Sequence, residues 1–174
     1  TRSMAGTVKA VANDEALIGS TMLPLERPER FYVVPLTEIQ KYFVVSPAYF
    51  DALQGKREQP LEPWTLEEIL QQPLITLPRD SVSFAAYNSH FRQYGLHLEP
   101  RYEVHQEDLG FDLAERGLGV FIGFEPALFG HPEPKILSCR STLPVRELVL
   151  FCRKERADEA TRRLMDRMAS EFVA

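Results

Sequence analysis

Three features of this 174-residue chain predict an α/β fold. Short apolar runs such as Tyr42-Phe43-Val44-Val45 and Leu148-Val149-Leu150-Phe151-Cys152 alternate with segments whose apolar residues recur every three or four positions. The thirteen prolines punctuate rather than cluster, and neither an internal repeat nor a low-complexity tract breaks the alternation. With 44% hydrophobic residues the chain has apolar material for a packed core, and its length allows one full domain or two small lobes.

Near the start, Val8, Val11 and Ala12 mark one face of a short helix, followed by a strand over Ala16 to Thr21. The strand Tyr42 to Val45 ends at Ser46-Pro47, an N-cap and first-turn pair for a helix that runs to Leu53 and closes at Gly55. Thr65-Leu66-Glu67-Glu68 fits a capping box, in which the hydroxyl accepts from the amide three residues on and the carboxylate reaches back. Pro73 stops that helix, and Leu74 to Leu77 is too short and too apolar for anything but a buried strand. Phe84, Tyr87, Phe91 and Tyr94 then form an apolar helical stripe with Gly95 at its exit, expected in the core. Arg101 to Val104 reads as a strand, Leu109 to Arg116 as a helix and Val120 to Ile122 as a strand. Leu148 to Cys152 gives a last strand, and Ala157 to Phe172 a closing helix with Ala160, Leu164, Met165, Met168 and Phe172 on one face.

Charge and composition exclude several classes. A formal net charge of -5 argues against a nucleic-acid surface, which neutralises phosphates with clustered Lys and Arg. Arg162, Arg163 and Arg167 sit among Asp158, Glu159, Asp166 and Glu171, as on a solvated helix face. The two cysteines, Cys139 and Cys152, form no CxxC pair and are read as reduced thiols. The opening Thr1 to Thr7 lacks the pattern of a secretion signal, and no run approaches the roughly 18 apolar residues of a membrane span. A cytoplasmic location follows as the expectation.

Gly117-Leu118-Gly119 is not a dinucleotide fingerprint, because Ile122 stands where the third glycine belongs and the order is helix-turn-strand. No cofactor motif is legible. His90, His97, His105 and His131 have no metal-ligand spacing, and His105 beside Glu107 is a loop pair without a recognisable nucleophile, so no catalytic residue is assigned. The loop Arg79-Asp80-Ser81-Val82-Ser83 has two readings. Its hydroxyls, its arginine and the helix start that follows suit a bound anion; equally, Asp80 or Ser81 caps the helix while Arg79 faces solvent.

The order of elements resembles that of the effector-binding domain of LysR-type transcriptional regulators. The resemblance rests on Phe43 to Pro47, Thr65 to Leu77, the segment with Phe91 and Gly95, Ala114 to Val120, and Arg146 to Phe151 with the terminal helix, spanning residues 8 to 172. Gly123 stands where that family has proline, and Tyr49-Phe50 replaces its "hP". The resemblance implies a two-lobed, periplasmic-binding-protein-like α/β domain with helices packed on mixed sheets, in which a ligand sits between the lobes. Residues 1–43 and 127–174 would form the first lobe, truncated because its opening strand, helix and strand are not recognisable, and 44–126 the second.

The family's arrangement further implies a ligand-binding set of Ser20, Thr21, Ser46, Arg79, Ser81, Ser83, His105 and Gln106. Turn chemistry is the alternative role of Ser20, Thr21 and Ser46. The expected function is sensing of a small, anionic effector, without catalysis. Lobe geometry would signal to a winged helix-turn-helix that alone contacts DNA, and the chain would self-associate through a helix and strand of opposite lobes. A solute-binding protein of a transporter and a dehydratase-like enzyme are the rival readings on the same architecture.

Overall fold

The computed structural model describes residues 4–58 and 62–172; Thr1 to Ser3, within the stretch read for a leader, lie outside them. In chain order the elements are α1 (Met4–Ala12), β1 (Gly19–Met22), β2 (Phe31–Ile39), β3 (Tyr42–Val45), α2 (Pro47–Gln54), α3 (Leu66–Leu70), β4 (Leu74–Thr76) and α4 (Val82–Arg92). They continue with β5 (Pro100–Glu103), α5 (Glu107–Glu115), β6 (Val120–Gly123), β7 (Lys135–Ile136), β8 (Arg146–Arg153) and α6 (Glu159–Phe172). No helix among the described residues is long and apolar enough to cross a membrane.

The chain divides into two compact units, Thr1–Ile39 with Val145–Ala174, and Gln40–Pro144. These limits differ from the 43/44 and 126/127 boundaries expected from the sequence. Tyr42 and Phe43 pair with Gly123 and Ile122, and β7 pairs with β3, so both flanking segments belong to the sheet of the second unit.

In the first unit β8 is the central strand of an antiparallel sheet ordered β1-β8-β2. Alternation along β8 sends Phe151 into a cluster with Val11 of α1, Leu25 and Phe31, and sends Leu150 and Cys152 into one with Val34, Leu36 and Met165 of α6. The nine-residue β2 goes unread in the sequence because Pro35 interrupts it. The structure shows why proline is tolerated there: β2 is an edge strand, and its register with β8 shifts between Pro35 and Thr37. Helix α6 also corrects the expected face. Thr161 and Met165 are buried, whereas Leu164, Met168 and Phe172 are exposed.

The second unit holds a five-stranded sheet ordered β5-β4-β6-β3-β7. Strand β4 is parallel to β5 and β6, and β3 is antiparallel to β6 and β7. Helices cover both faces. Phe43, Val45, Leu74, Val120 and Ile122 pack with Leu53 of α2, Ile69 of α3 and Phe84, Tyr87 and Phe91 of α4. Val44, Ile75 and Phe121 pack with Phe111 and Ala114 of α5 on the other. The capping box of α3 is present in full between Thr65 and Glu68, and the Thr65 amide that donates to this carboxylate holds its pKa below the usual carboxylate range. Tyr94 lies beyond α4 and is exposed, not core as expected.

The reversal from α5 into β6 depends on two glycines. Gly117 has φ 74°, its N–H donates to the Ala114 carbonyl at 2.9 Å and that of Leu118 donates to Leu113 at 3.1 Å, the bond pattern of a left-handed helix cap. At Gly119, φ is 157° and an added Cβ would stand 2.0 Å from the Pro73 carbonyl oxygen, which accepts the Val120 N–H. Gly119→Ala is therefore expected to lower stability by about 1–3 kcal/mol, the usual range for overpacking. Urea denaturation checks this, and a midpoint equal to the parent's would contradict the assignment.

Candidate functional site

Parallel pairing places the C-terminal ends of β4, β5 and β6 at one edge of the second unit's sheet, together with the N-termini of α4 and α5. After β4 the chain turns to β5, and after β6 it turns to β7 on the opposite side, so the ends of β4 and β6 flank a topological switch point. Such an edge is where open α/β sheets bind ligands, because helix amides without intrahelical acceptors converge there.

Lys41, just before β3, is the most unusual residue of this edge. Its side chain is 1% exposed and forms an ion pair with Glu107 in the first turn of α5. The ammonium also lies 4.4 Å from the centroid of the Phe124 ring. A buried ammonium is stable only when paired, and Glu107 is favoured in turn by the helix N-terminus it occupies. The second carboxylate oxygen of Glu107 is buried without a partner among the described residues, which leaves an acceptor for a donor-bearing ligand or water.

Two recesses open beside Lys41. One is lined by Lys41, Thr76, Leu77, Ser83, Phe84 and Tyr87. Thr76 ends β4 with its hydroxyl donating to the Leu77 carbonyl at 2.9 Å, and Ser83 lies in the first turn of α4; both are buried. The other, of about 280 Å³, runs between Gln40 to Phe43 and Ile136 to Leu143. Ser138, Ser141 and Thr142 contribute to its wall, as does Cys139, a free thiol whose pKa is pushed up chiefly by burial. This second recess approaches the size of a small-metabolite site, whereas the one beside Thr76 and Ser83, of about 10 Å³, has room for about one water.

The structure distributes the expected ligand set unevenly. Ser81 and Ser83 are at this edge, but Ser81 caps α4 by accepting the Phe84 N–H at 3.1 Å. Arg79 has a side chain that is 52% exposed and ion-paired. Its guanidinium is 3.0 Å from the Glu103 carboxylate and its amide donates to the same group at 3.1 Å, which ties the loop to β5. Gln106 occupies the N-cap position of α5 without a side-chain cap bond, and His105 beside it is exposed.

Ser46 is at the opposite edge of the sheet. It caps α2 through the Tyr49 N–H at 3.2 Å, because β3 runs antiparallel to β6 and its C-terminal end points away from Thr76. Ser20 and Thr21 belong to β1 of the first unit, with Ser20 exposed and Thr21 buried. Lys41, Thr76 and Glu107 were missed. Signals for the first two stand in the sequence: a lone cation directly before the apolar run Tyr42 to Val45, and a hydroxyl inside the buried run Leu74 to Leu77.

Comparison with known proteins bears on this geometry. The profile of the LysR substrate binding domain matches residues 1–173. The regulatory domain of CcmR from Synechocystis PCC6803 in complex with 2-PG superposes with a TM-score of 0.78 at 11% identity, covering 98% of this chain and 80% of that one. The effector binding domain of QuiR in complex with shikimate gives 0.76 at 14% identity, over 98% of this chain and 78% of that one. Full-length CbnR complexed with target DNA gives 0.72 at 12% identity, over 98% of this chain but 57% of that one. No curated protein sequence matches the chain.

The Lys41–Glu107 pair is expected to behave as a unit. Glu107→Leu removes the carboxylate partner of a buried ammonium and is expected to cost about 3–5 kcal/mol, whereas Lys41→Met with Glu107→Leu regains most of that loss. A double-mutant cycle by urea denaturation measures it; additive single-site losses would show that the two side chains are not coupled.

Proposed function

The chain belongs to the LysR substrate binding domain family, and on that premise we propose that it senses a small anionic metabolite at the C-terminal edge of the second unit's sheet. The observation that carries the reading is the convergence there of the Thr76 and Ser83 hydroxyls, the first turn of α4 and the buried Lys41 ammonium. Helix amides, and hydroxyls that turn from their present acceptors toward a ligand, donate to carboxylate or phosphate oxygens, and a cation in a low-dielectric edge favours an anion over a neutral analogue. Neighbouring proteins of this fold hold shikimate and 2-PG, both small and acidic, which supports the same class of ligand here.

In this reading the chain is the cytoplasmic effector-binding part of a transcriptional regulator, and a winged helix-turn-helix outside it contacts DNA. The net charge of -5 supports that division of labour. Self-association is part of the proposal, and the exposed Leu164, Met168 and Phe172 of α6 supply an apolar surface for it. Binding rather than catalysis is the role the edge supports: donors and a cation in a recess give recognition. An effector that favours one of two states of the regulator shifts its population by the difference in its affinity for them.

A thermal-shift panel of small carboxylates and phosphates, shikimate and 2-PG included, tests the proposal. At least one is expected to raise the melting temperature, by an amount that keeps growing with the logarithm of its concentration above Kd. For that anion Thr76→Ala and Ser83→Ala are expected to weaken binding roughly tenfold or more, the equivalent of about 1.5–3 kcal/mol for a bond to a charged group. Ser81→Ala is expected to lower stability by about 1 kcal/mol as a lost cap and leave affinity nearly unchanged. Arg79→Ala acts through the loop that Glu103 holds, with a smaller effect on affinity than Thr76→Ala. Parent-like affinity in both the Thr76 and Ser83 variants would overturn the placement.

A further inference from the structure

A second set of side chains converges away from that edge, on the outer surface of α5 in the same unit. Asp112 and Glu115 are three residues apart on this helix, and His131 comes from the connection between β6 and β7. One oxygen of each carboxylate and one ring nitrogen of His131 lie within 4.8 Å of one another. No spacing of histidines along the sequence indicates such a group. It exists because the connection after β6 folds back over α5.

His131 is held in place by its surroundings. Its ring stacks on that of the buried Phe111 with centroids 4.9 Å apart and planes at 30°. Its amide donates to the Pro126 carbonyl at 3.1 Å, and Gly130 before it turns at φ 77°. In this position Nδ1 is 2.8 Å from Glu115 Oε1. Adjacent ligands of an octahedral ion with bonds of about 2.1 Å stand about 3 Å apart, so the present separation suits two ligands of one ion once the carboxylate swings off the Nδ1 lone-pair axis.

Asp112 is what distinguishes this arrangement from an ordinary His–Glu hydrogen bond. That bond does not require a second carboxylate, and like charges three apart on a helix repel each other. A cation turns the same pair into two ligands. One imidazole and two carboxylates suit borderline divalent ions such as Zn²⁺, Co²⁺ or Ni²⁺ better than Ca²⁺ or Mg²⁺, which prefer all-oxygen sites.

We propose that Asp112, Glu115 and His131 form a divalent transition-metal site, with the remaining coordination positions taken by water. Its α5 ligands lie about 7.5 Å (Asp112) and about 12 Å (Glu115) along the helix from Glu107, at a rise of about 1.5 Å per residue, separate from the anion site. A bound ion ties the β6–β7 connection to α5 and stabilises the folded chain by an amount that grows with the logarithm of the free ion concentration above its Kd.

The test uses the tag-free chain after treatment with a chelator. Zn²⁺ is titrated by calorimetry, Co²⁺ by its visible spectrum, and melting temperature is followed with each. One saturable equivalent is expected, with a rise in melting temperature, lost in His131→Ala and Glu115→Gln and kept in Cys139→Ser. Asp112→Asn, an exposed substitution on a folded helix, is expected to weaken binding and keeps the test decisive if His131→Ala fails to fold. Absence of saturable binding in the parent, parent-like binding in Asp112→Asn or His131→Ala, or loss in Cys139→Ser would each overturn the proposal.

Discussion

The architecture of the second unit rests on β4, three buried residues paired in parallel on both sides. A parallel pair cannot close with a hairpin, so each connection must cross the sheet, and helices are the economical way to do so. Helix α4 lies on one face and α5 on the other. Both therefore start at the same edge, where β4 and β5 end. The Thr76 carbonyl accepts the Val104 N–H at 2.9 Å, which joins the last residue of β4 to the turn that starts α5. Pro73, just ahead of β4, accepts from Val120 and sets the close approach that only glycine allows at 119.

The same edge carries a buried ion pair, Lys41 with Glu107. Burying Lys41 costs free energy that its pairing with Glu107 offsets only in good geometry, and well-packed apolar residues would be no less stable. Stability alone gives no reason to place the pair beside Thr76 and Ser83. A binding role does, because a fixed ammonium flanked by hydroxyls and helix amides needs little reorganisation to receive an anion. The partnerless oxygen of Glu107 adds an acceptor, and a ligand bearing a hydroxyl or amine beside its acid group satisfies both signs at once.

How much of this was legible in the sequence differs by kind of signal. Local chemistry was: the capping box at Thr65, the Ser46 and Ser81 caps and the glycine turn at 117–119 are set by neighbours within a few residues. Periodicity was less complete. It locates α4 and α6 but places Tyr94 in the core and does not tell which of the apolar residues along α6 are covered, because a stripe of apolar residues does not say how wide the covering sheet is. Strand β2 was hidden by Pro35, whose acceptability depends on an edge position that only the sheet order reveals. Site membership was the least legible. Ser46 and Thr76 are alike as hydroxyls at strand ends, and only the direction of β3 against β6 puts them on opposite edges. Lys41 and Glu107 are 66 residues apart, and their pairing is a product of the fold.

Hydrogen–deuterium exchange of the chain, with and without the anion that most raises its melting temperature, addresses the central claim directly. Ligand held at the C-terminal edge of β4 and β6 slows exchange of the backbone amides between Thr76 and Phe84 and around Lys41 and Glu107, while α6 and the α2 terminus at Ser46 stay as they were. Protection confined to other segments, with 76–84 exchanging at the unliganded rate, would contradict the account.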